Sequence, residues 1–179
     1  VAASGDFPTT ARLLPTRTLW KPMGSAVLTA IRRARGYIYV ENPYLYDKKV
    51  TAALVRARRR GVDVRVVLSR INDFPAGARS NLVTANYLLA HGIRVYFYPG
   101  MTHVKALLVD DWALVGSGNL DHLSMRLCLE QNIATSDPDF AAQLKRDLFE
   151  ADFRRSYELT EPISVTWMDF IADIVMENL

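Results

Sequence analysis

The sequence has a single cysteine, Cys128, so no internal disulfide framework is open to it, which fits a reducing compartment. No apolar run approaches the ~18 residues needed to cross a bilayer. The opening VAASGDFPTT has neither an apolar signal-peptide core nor an initiator Met, and the chain is expected to be cut from something longer. Low-complexity stretches and internal repeats are missing too, and Gly, Pro and charge contents are ordinary, which excludes disorder. No G-x-x-x-x-G-K-[ST] loop exists, Ser117 lacks the G-x-S-x-G frame of a hydrolase elbow, and His91, His103 and His122 do not fall in a zinc pattern. What remains is a chain of 179 residues, half of them hydrophobic, enough for one α/β domain with a real core. A net charge of +3 permits an anionic partner without demanding one.

GSAVLTAIRRAR, residues 24–35, has helical apolar spacing. GYIYVENPY follows as a strand, KKVTAALVRARRRG as a helix stopped by Gly61, and VDVRVVLS as the next strand. SNLVTANYLLAHG is a helix with Ser80 as N-cap and Gly92 at its end, and IRVYFYP is a third strand. This alternation predicts parallel βαβ units. THVKALLVD and WALVGSG then form two strands joined by a tight turn at Asp110-Asp111, and LCLEQNIATS is another strand. DPDFAAQLKRDLFEADFRRSY is a long helix and SVTWMDFIADIVMENL a final amphipathic one. The expected fold is α/β: a mixed, largely parallel sheet flanked by helices on both faces.

In an open α/β sheet, ligands bind beyond the carboxyl ends of the parallel strands. Those ends carry Asn42, Pro43 and Tyr44, then Arg70, Ile71, Asn72 and Asp73, then Pro99 and Gly100. A strand that starts at Thr102 and runs back antiparallel places His103 and Lys105 at the same rim. Strand alternation puts those two on one face, where both reach one phosphate. The imidazole can attack phosphorus or carry a proton, and the ammonium can neutralise oxygens where charge builds. Asp110 has the opposite parity and is expected to be structural. Gly116-Ser117-Gly118-Asn119 offers backbone N–H groups, a hydroxyl and an amide to an anion. Glu130 stands where a carboxylate could hold the imidazole in one tautomer.

His103-x-Lys105-x-x-x-x-Asp110 followed by Gly116-Ser117-x-Asn119 resembles the HKD motif of the phospholipase D superfamily, and Glu130 matches the Glu that supports the His there. AIRRARGYIYVENPYL, ALVRARRRGVDVRVVLS and NYLLAHGIRVYFY resemble the C-terminal half of a cardiolipin synthase-type member. The resemblance implies that residues 1–179 are one catalytic lobe of a two-lobe protein. It implies phosphodiester transfer or hydrolysis on a phospholipid through a phosphohistidine, without cofactor or metal. His103 and Lys105 are then catalytic with Glu130, while Lys105, Ser117 and Asn119 bind phosphate. In a C-terminal lobe His103 is the general acid and base rather than the nucleophile. The implied partners are a phosphatidylglycerol-like substrate, a membrane surface met peripherally from the cytoplasmic side, and a second HKD lobe, upstream or from a homodimer. Two alternatives compete: a homodimeric single-motif nuclease, which binds nucleic acid, and a non-catalytic lobe that binds anionic lipid. The chain departs from the family in two places. Five residues rather than six separate Asp110 from Gly116, implying a tighter turn, and Cys128 stands where Asn is frequent.

The loop residues Asn42, Tyr44, Arg70, Asn72 and Asp73, with Arg79, are candidates for substrate contact. Arg56, Arg58, Arg59 and Arg60 close a helix whose C-terminal end lies on the far side from the site, and read as a solvated, dipole-complementing face. The last helix, with Trp167, Phe170, Ile171, Ile174 and Val175 on one side, is expected to pack that side on this domain or on a missing lobe. Its polar side, with Asp169, Asp173 and Glu177, would be repelled by anionic lipid.

Overall fold

A computed structural model of the chain describes residues 11–16, 22–126 and 128–178. Its centre follows the expected alternation: α1 (Pro22–Arg33), β2 (Tyr37–Glu41), α2 (Lys48–Arg59), β3 (Asp63–Ser69), α3 (Pro75–Ala90) and β4 (Arg94–Tyr98). β2 pairs parallel with β3, and β3 with β4. β5 (Ala106–Val109) then returns antiparallel beside β2, placing Ala106 opposite Glu41. β6 (Trp112–Gly116) and β7 (Glu130–Thr135) continue as an antiparallel meander. β1 (Ala11–Thr16) pairs with β7 and β8 (Tyr157–Glu158) with β4, two edge strands that the sequence reading does not anticipate. The order is β1-β7-β6-β5-β2-β3-β4-β8. The fold is the mixed α/β sheet expected, but only two of its seven pairings are parallel. A turn as tight as Asp110-Asp111 leaves no room for the crossover that a parallel pairing requires.

The central strands are buried on both faces, which explains their unbroken apolar runs. Ile38, Val40, Val64, Val66, Leu68, Leu107 and Val109 face α1, α2 and α3 in the larger core. Tyr39, Ala106, Leu108 and Ala113 face the opposite way, against Ala141 and Phe149. The latter belong to one helical stretch in three parts: α5 (Pro138–Leu144), a π-helical turn (Lys145–Phe149) and α6 (Glu150–Arg155). The π turn coincides with the insertion of Phe149, fully buried, under the sheet.

The end signals act largely as read. Gly61 (φ 92°) and Gly92 (φ 74°) take the left-handed conformation just beyond α2 and α3. The four arginines at the end of α2 are exposed, as expected for a solvated face. Arg60 donates to the carbonyls of Ile31 and Ala34, and Arg58 to Gly92, so they also tie down helix ends. α3 begins five residues before Ser80 because Pro75, with its preset φ, occupies the first turn. Ser80 is inside the helix and donates instead to Asp173 at 2.6 Å. β7 begins at Glu130, and Leu127 lies outside the described residues. A short helix, α4 (His122–Arg126), precedes it.

The last helix, α7 (Trp167–Asn178), packs its polar side on α3, which corrects the expected packing of its apolar side on this domain. Asp169 is buried, paired with Arg79 at 2.8 Å and accepting from Thr166. Trp167, Met168, Phe170, Ile171, Ile174 and Val175 are exposed. The inversion has a local cause: α3 presents Arg79 and Ser80 to α7, and both find carboxylate partners there. The side chain of Glu177 lies outside the described residues.

Candidate active site

The motif residues other than Asp110 come to the rim where β2, β3 and β4 end. The antiparallel return of β5 sets its beginning beside Glu41, the end of β2. β6 ends and β7 begins at that same rim, with Gly116 opposite Asn132. Regular strand pairing starts only at Ala106, so His103 and Lys105 precede β5 rather than lying in it. The reason is Thr102. Its N–H donates to Ser69 Oγ at 3.1 Å, Ser69 Oγ donates back to its carbonyl at 2.7 Å, and its hydroxyl donates to Glu41 at 2.5 Å. Val104 N–H closes onto the same hydroxyl at 3.3 Å. Three buried side chains therefore fix the residue immediately before His103.

His103 is exposed, and Lys105 is half-buried with its Nζ donating to the His103 carbonyl at 3.1 Å. Burial pulls the Lys105 ammonium below the usual lysine range, and carboxylates of Glu130, Asp73 and Asp121 oppose that shift. They come from three separate elements, so Lys105 is the point on which the rim converges. Asp73 feels both cations: the Tyr44 hydroxyl, then the charges of His103 and Lys105, hold its carboxyl below the usual range.

Ser117 and Glu130 meet directly, the hydroxyl donating to the carboxylate, and Gln131 N–H donates to Ser117 Oγ at 3.0 Å. Glu130 makes no hydrogen bond with His103 among the described residues. The N–H groups of the turn do not form an open anion cradle. Gly116 N–H is bonded to Lys105 O, Ser117 N–H to Gln131 O and Gly118 N–H to Asn132 Oδ1. The turn is glycine-rich for steric reasons: a Cβ at Gly116 would stand 2.4 Å from Gln131 O, and one at Gly118 2.7 Å from Met23 Sδ. Asn119 gives its amide to Asp121, and its Oδ1 is buried without a partner. Burial raises Asp121, while hydrogen bonds from Ser124 and Asn119 counter the shift.

Asp110 is structural, at the far end of the same hairpin. Burial pushes its carboxyl up, but N–H groups of Arg35, Gly36 and Tyr37, each at 2.9 Å, outweigh that and hold it low. It adopts φ 50°, the left-handed conformation that the two-residue turn requires.

The loop candidates divide. Asn42 and Tyr44 are buried and brace the rim rather than face substrate, a correction to their expected role. Asn42 Oδ1 accepts from Tyr44 N–H and Leu120 N–H, and the Tyr44 hydroxyl bonds Asp73 and accepts from Phe74 N–H. They turn inward because the chain must cross from β2 into α2 beneath α3. Arg70 and Asp73 are exposed; Asn72 is partly buried, its Oδ1 without a partner. Arg79 is drawn away to Asp169.

Residues 27–152 match the family model described as cardiolipin synthase, PLD-like domain. The chain belongs to this phospholipase D-like family. It is 40% identical over 135 residues to cardiolipin synthase A of Pseudomonas syringae, covering 73% of this chain and 28% of that protein. To cardiolipin synthase A of Pseudomonas aeruginosa it is 41% identical over 134 residues, covering 73% and 27%. The chain thus spans little more than a quarter of the length of these relatives. Among solved structures, the phospholipase D family member Nuc of Salmonella typhimurium superposes with TM-score 0.72 at 19% identity, over 84% of this chain and 99% of that one. Phosphatidylserine synthase of Haemophilus influenzae gives TM-score 0.72 at 13% identity, over 94% and 48%. At such identities these two show the fold alone.

In this phospholipase D-like domain, Glu41, Ser69, Thr102 and Asn132 brace the site and lie outside the motif. Asn132 is buried, its Oδ1 holding Gly118 N–H. Glu41 is fully buried at the end of a strand, and burial pushes its carboxyl up to about 7, against the Thr102 hydroxyl and with help from Asp152 on α6. Its second oxygen is buried without a hydrogen-bond partner. A carboxylate inside a VENP strand end was the one available hint.

Proposed function

We propose that the chain is one catalytic lobe of a phosphatidyltransferase of the cardiolipin synthase type, with hydrolysis the outcome when water replaces the acceptor alcohol. The observation that carries this reading is the convergence of Glu130, Asp73 and Asp121 on Lys105, beside His103, at the rim where the parallel strands end. Membership of the family and the identity to cardiolipin synthases support the lipid substrate.

The chemistry needs two imidazoles. One attacks phosphorus and displaces the first alcohol, whose oxygen takes a proton from the second. The second then accepts the proton of the incoming alcohol, whose oxygen attacks phosphorus and frees the first. The motif here brings one, His103, and in a C-terminal lobe it is the acid and base. Lys105 neutralises the phosphoryl oxygens where charge builds. Ser117 and Asn119 serve the phosphate once their donors leave Glu130 and Asp121.

Charge also calls for a second lobe. Three carboxylates act on Lys105, and one of them, Asp73, also on His103, a balance unsuited to a phosphodiester anion unless a second lobe adds its own His and Lys. That lobe is upstream in the parent protein or comes from a second copy. The complete enzyme works peripherally at the cytoplasmic face of the membrane.

The test is turnover of phosphatidylglycerol by the complete two-lobe enzyme. Activity survives exhaustive chelation and falls with Lys105→Gln, since Lys105 supplies the cation at the phosphate. Loss with EDTA, restored by Mg²⁺ or Zn²⁺, contradicts the reading. The 179-residue chain alone is nearly inactive unless it dimerises around the rim.

A further inference from the structure

Of the three carboxylates that act on Lys105, two are already engaged by the motif. Glu130 accepts from the Ser117 hydroxyl. Asp121, buried, accepts from Ser124 N–H at 2.7 Å and from the Asn119 amide. Both therefore hold donors that a phosphate would use. Asp73 differs. It is exposed on the loop between β3 and α3, and makes no hydrogen bond to a motif side chain among the described residues.

The fold nevertheless fixes this exposed carboxylate. Its Oδ1 accepts from the Tyr44 hydroxyl, which in turn accepts from Phe74 N–H at 3.2 Å. The Tyr44 ring is seated on the first turn of α3, where a Cβ at Gly77 would stand 2.7 Å from it. Asn81 pins the chain on either side of Tyr44, donating to Pro43 O at 2.6 Å and accepting from Leu45 N–H at 3.1 Å. The loop of Asp73 is also laced to the segment that carries His103. Arg70 N–H bonds Tyr98 O at 3.1 Å, and Ile71 N–H bonds Gly100 O at 3.4 Å. The Tyr44 hydroxyl, with the charges of His103 and Lys105, keeps Asp73 ionised.

We propose that Asp73 is the specificity-determining residue for the acceptor alcohol, accepting a hydrogen bond from a second hydroxyl next to the one that attacks. The inference rests on the phosphatidyltransferase reading above and names the residue that selects its acceptor, an alcohol of the glycerol-headgroup kind. Charge selects this ligand. An ionised carboxylate repels a phosphodiester oxygen but attracts a hydroxyl, and binds it more strongly than a neutral acceptor does. A carboxylate offers about four lone-pair sites, so the bond from Tyr44 leaves room for one from a ligand. His103, whose charge reaches Asp73, is the base in this step. The attacking oxygen bonds phosphorus, its proton passes to His103, and the bond from phosphorus to the other lobe's His breaks. The neighbouring hydroxyl donates to Asp73 throughout and is unchanged. A simple alcohol has no such second hydroxyl.

The test uses the complete two-lobe enzyme and a phosphatidyl donor with a p-nitrophenol leaving group, so that the acceptor alone occupies the alcohol side. 1,2-Propanediol and 1-propanol, which differ by one hydroxyl, are supplied together, and mass spectrometry gives the ratio of the two phosphatidyl products. The wild type favours the diol. Asp73→Ala lowers that preference at least tenfold, the scale of one hydrogen bond to a charged group, and Asp73→Asn, a neutral acceptor, falls between. A merely structural role for Asp73 slows both transfers alike and leaves the ratio where it was. An unchanged ratio in Asp73→Ala, or a wild type without preference, therefore overturns this inference and leaves the functional reading standing. Absence of transfer to either alcohol by the wild type contradicts the functional reading, and this inference with it.

Discussion

The β5–β6 hairpin holds its two ends in opposite ways. At the turn, Asp110 receives three backbone N–H groups and locks the hairpin to the connection between α1 and β2. At the rim, the His103 side chain is exposed, and what is rigid there is the backbone beneath it, through Thr102, Ser69 and Glu41. One motif thus contains an anchor whose side chain is fully engaged and a reactive group left free on an anchored base. Preorganisation of this kind lets a side chain meet substrate without rebuilding the fold.

The largest effect expected from breaking that contrast is at the free end. His103→Ala in the complete enzyme lowers turnover by at least ~10²–10⁴-fold, the range for general acid–base catalysis, and leaves chemical denaturation within about 0.5 kcal/mol of wild type. Steady-state kinetics and a urea titration on the same sample check both halves. The turn end gives the reverse. Asp110→Ala strands three N–H groups and places Ala at positive φ, costing about 2–4 kcal/mol of stability, while turnover per folded molecule is largely kept. Asp110→Asn, which keeps acceptor oxygens, recovers part of the loss.

The buried base is tested by pH. Glu41 has an ordinary carboxyl value of 4.5 when unfolded and about 7 when folded. Between those values the folded chain holds a proton that the unfolded chain has released, so stability is full below about pH 4.5 and falls as pH rises through 7. The loss is on the order of 3 kcal/mol. Glu41→Gln keeps a neutral partner for Thr102 and Asp152, and its stability curve lacks that decline; identical slopes for the two proteins between pH 4.5 and 8 contradict the assignment. The smallest effect belongs to Cys128, exposed and outside both anchors. Cys128→Ser changes stability and turnover within about 0.5 kcal/mol, measured in the same assays.

What the sequence made legible follows the same division. The βαβαβ centre is readable because its strands are apolar runs and its helices carry Gly stops at Gly61 and Gly92. His103, Lys105, Ser117, Asn119 and Glu130 reach one rim because strand direction alone places them there. The contacts within the rim are not readable, since they depend on side chains far apart in the chain. Thr102 meets Glu41 and Ser69 across three strand ends, and Asn132 secures Gly118 from β7. The edge strands β1 and β8 are hidden for another reason: Ala11–Thr16 contains a proline and Tyr157–Glu158 is two residues long, too weak for any periodicity. The side of α7 that meets α3 is not readable because its amphipathic pattern has two readings, and Arg79 and Ser80 on α3 decide between them.

The central claim is that His103 works as acid and base on a phosphohistidine formed with a second lobe. It is tested most directly by mass spectrometry of the complete enzyme quenched during turnover. The wild type is expected to carry an acid-labile phosphatidyl adduct on the His of the other lobe. His103→Ala is expected to form the adduct from a substrate whose leaving group needs no proton, and to accumulate it because nothing activates the acceptor. An adduct on His103 and none on the other lobe, or no histidine adduct in either protein while turnover continues, contradicts it.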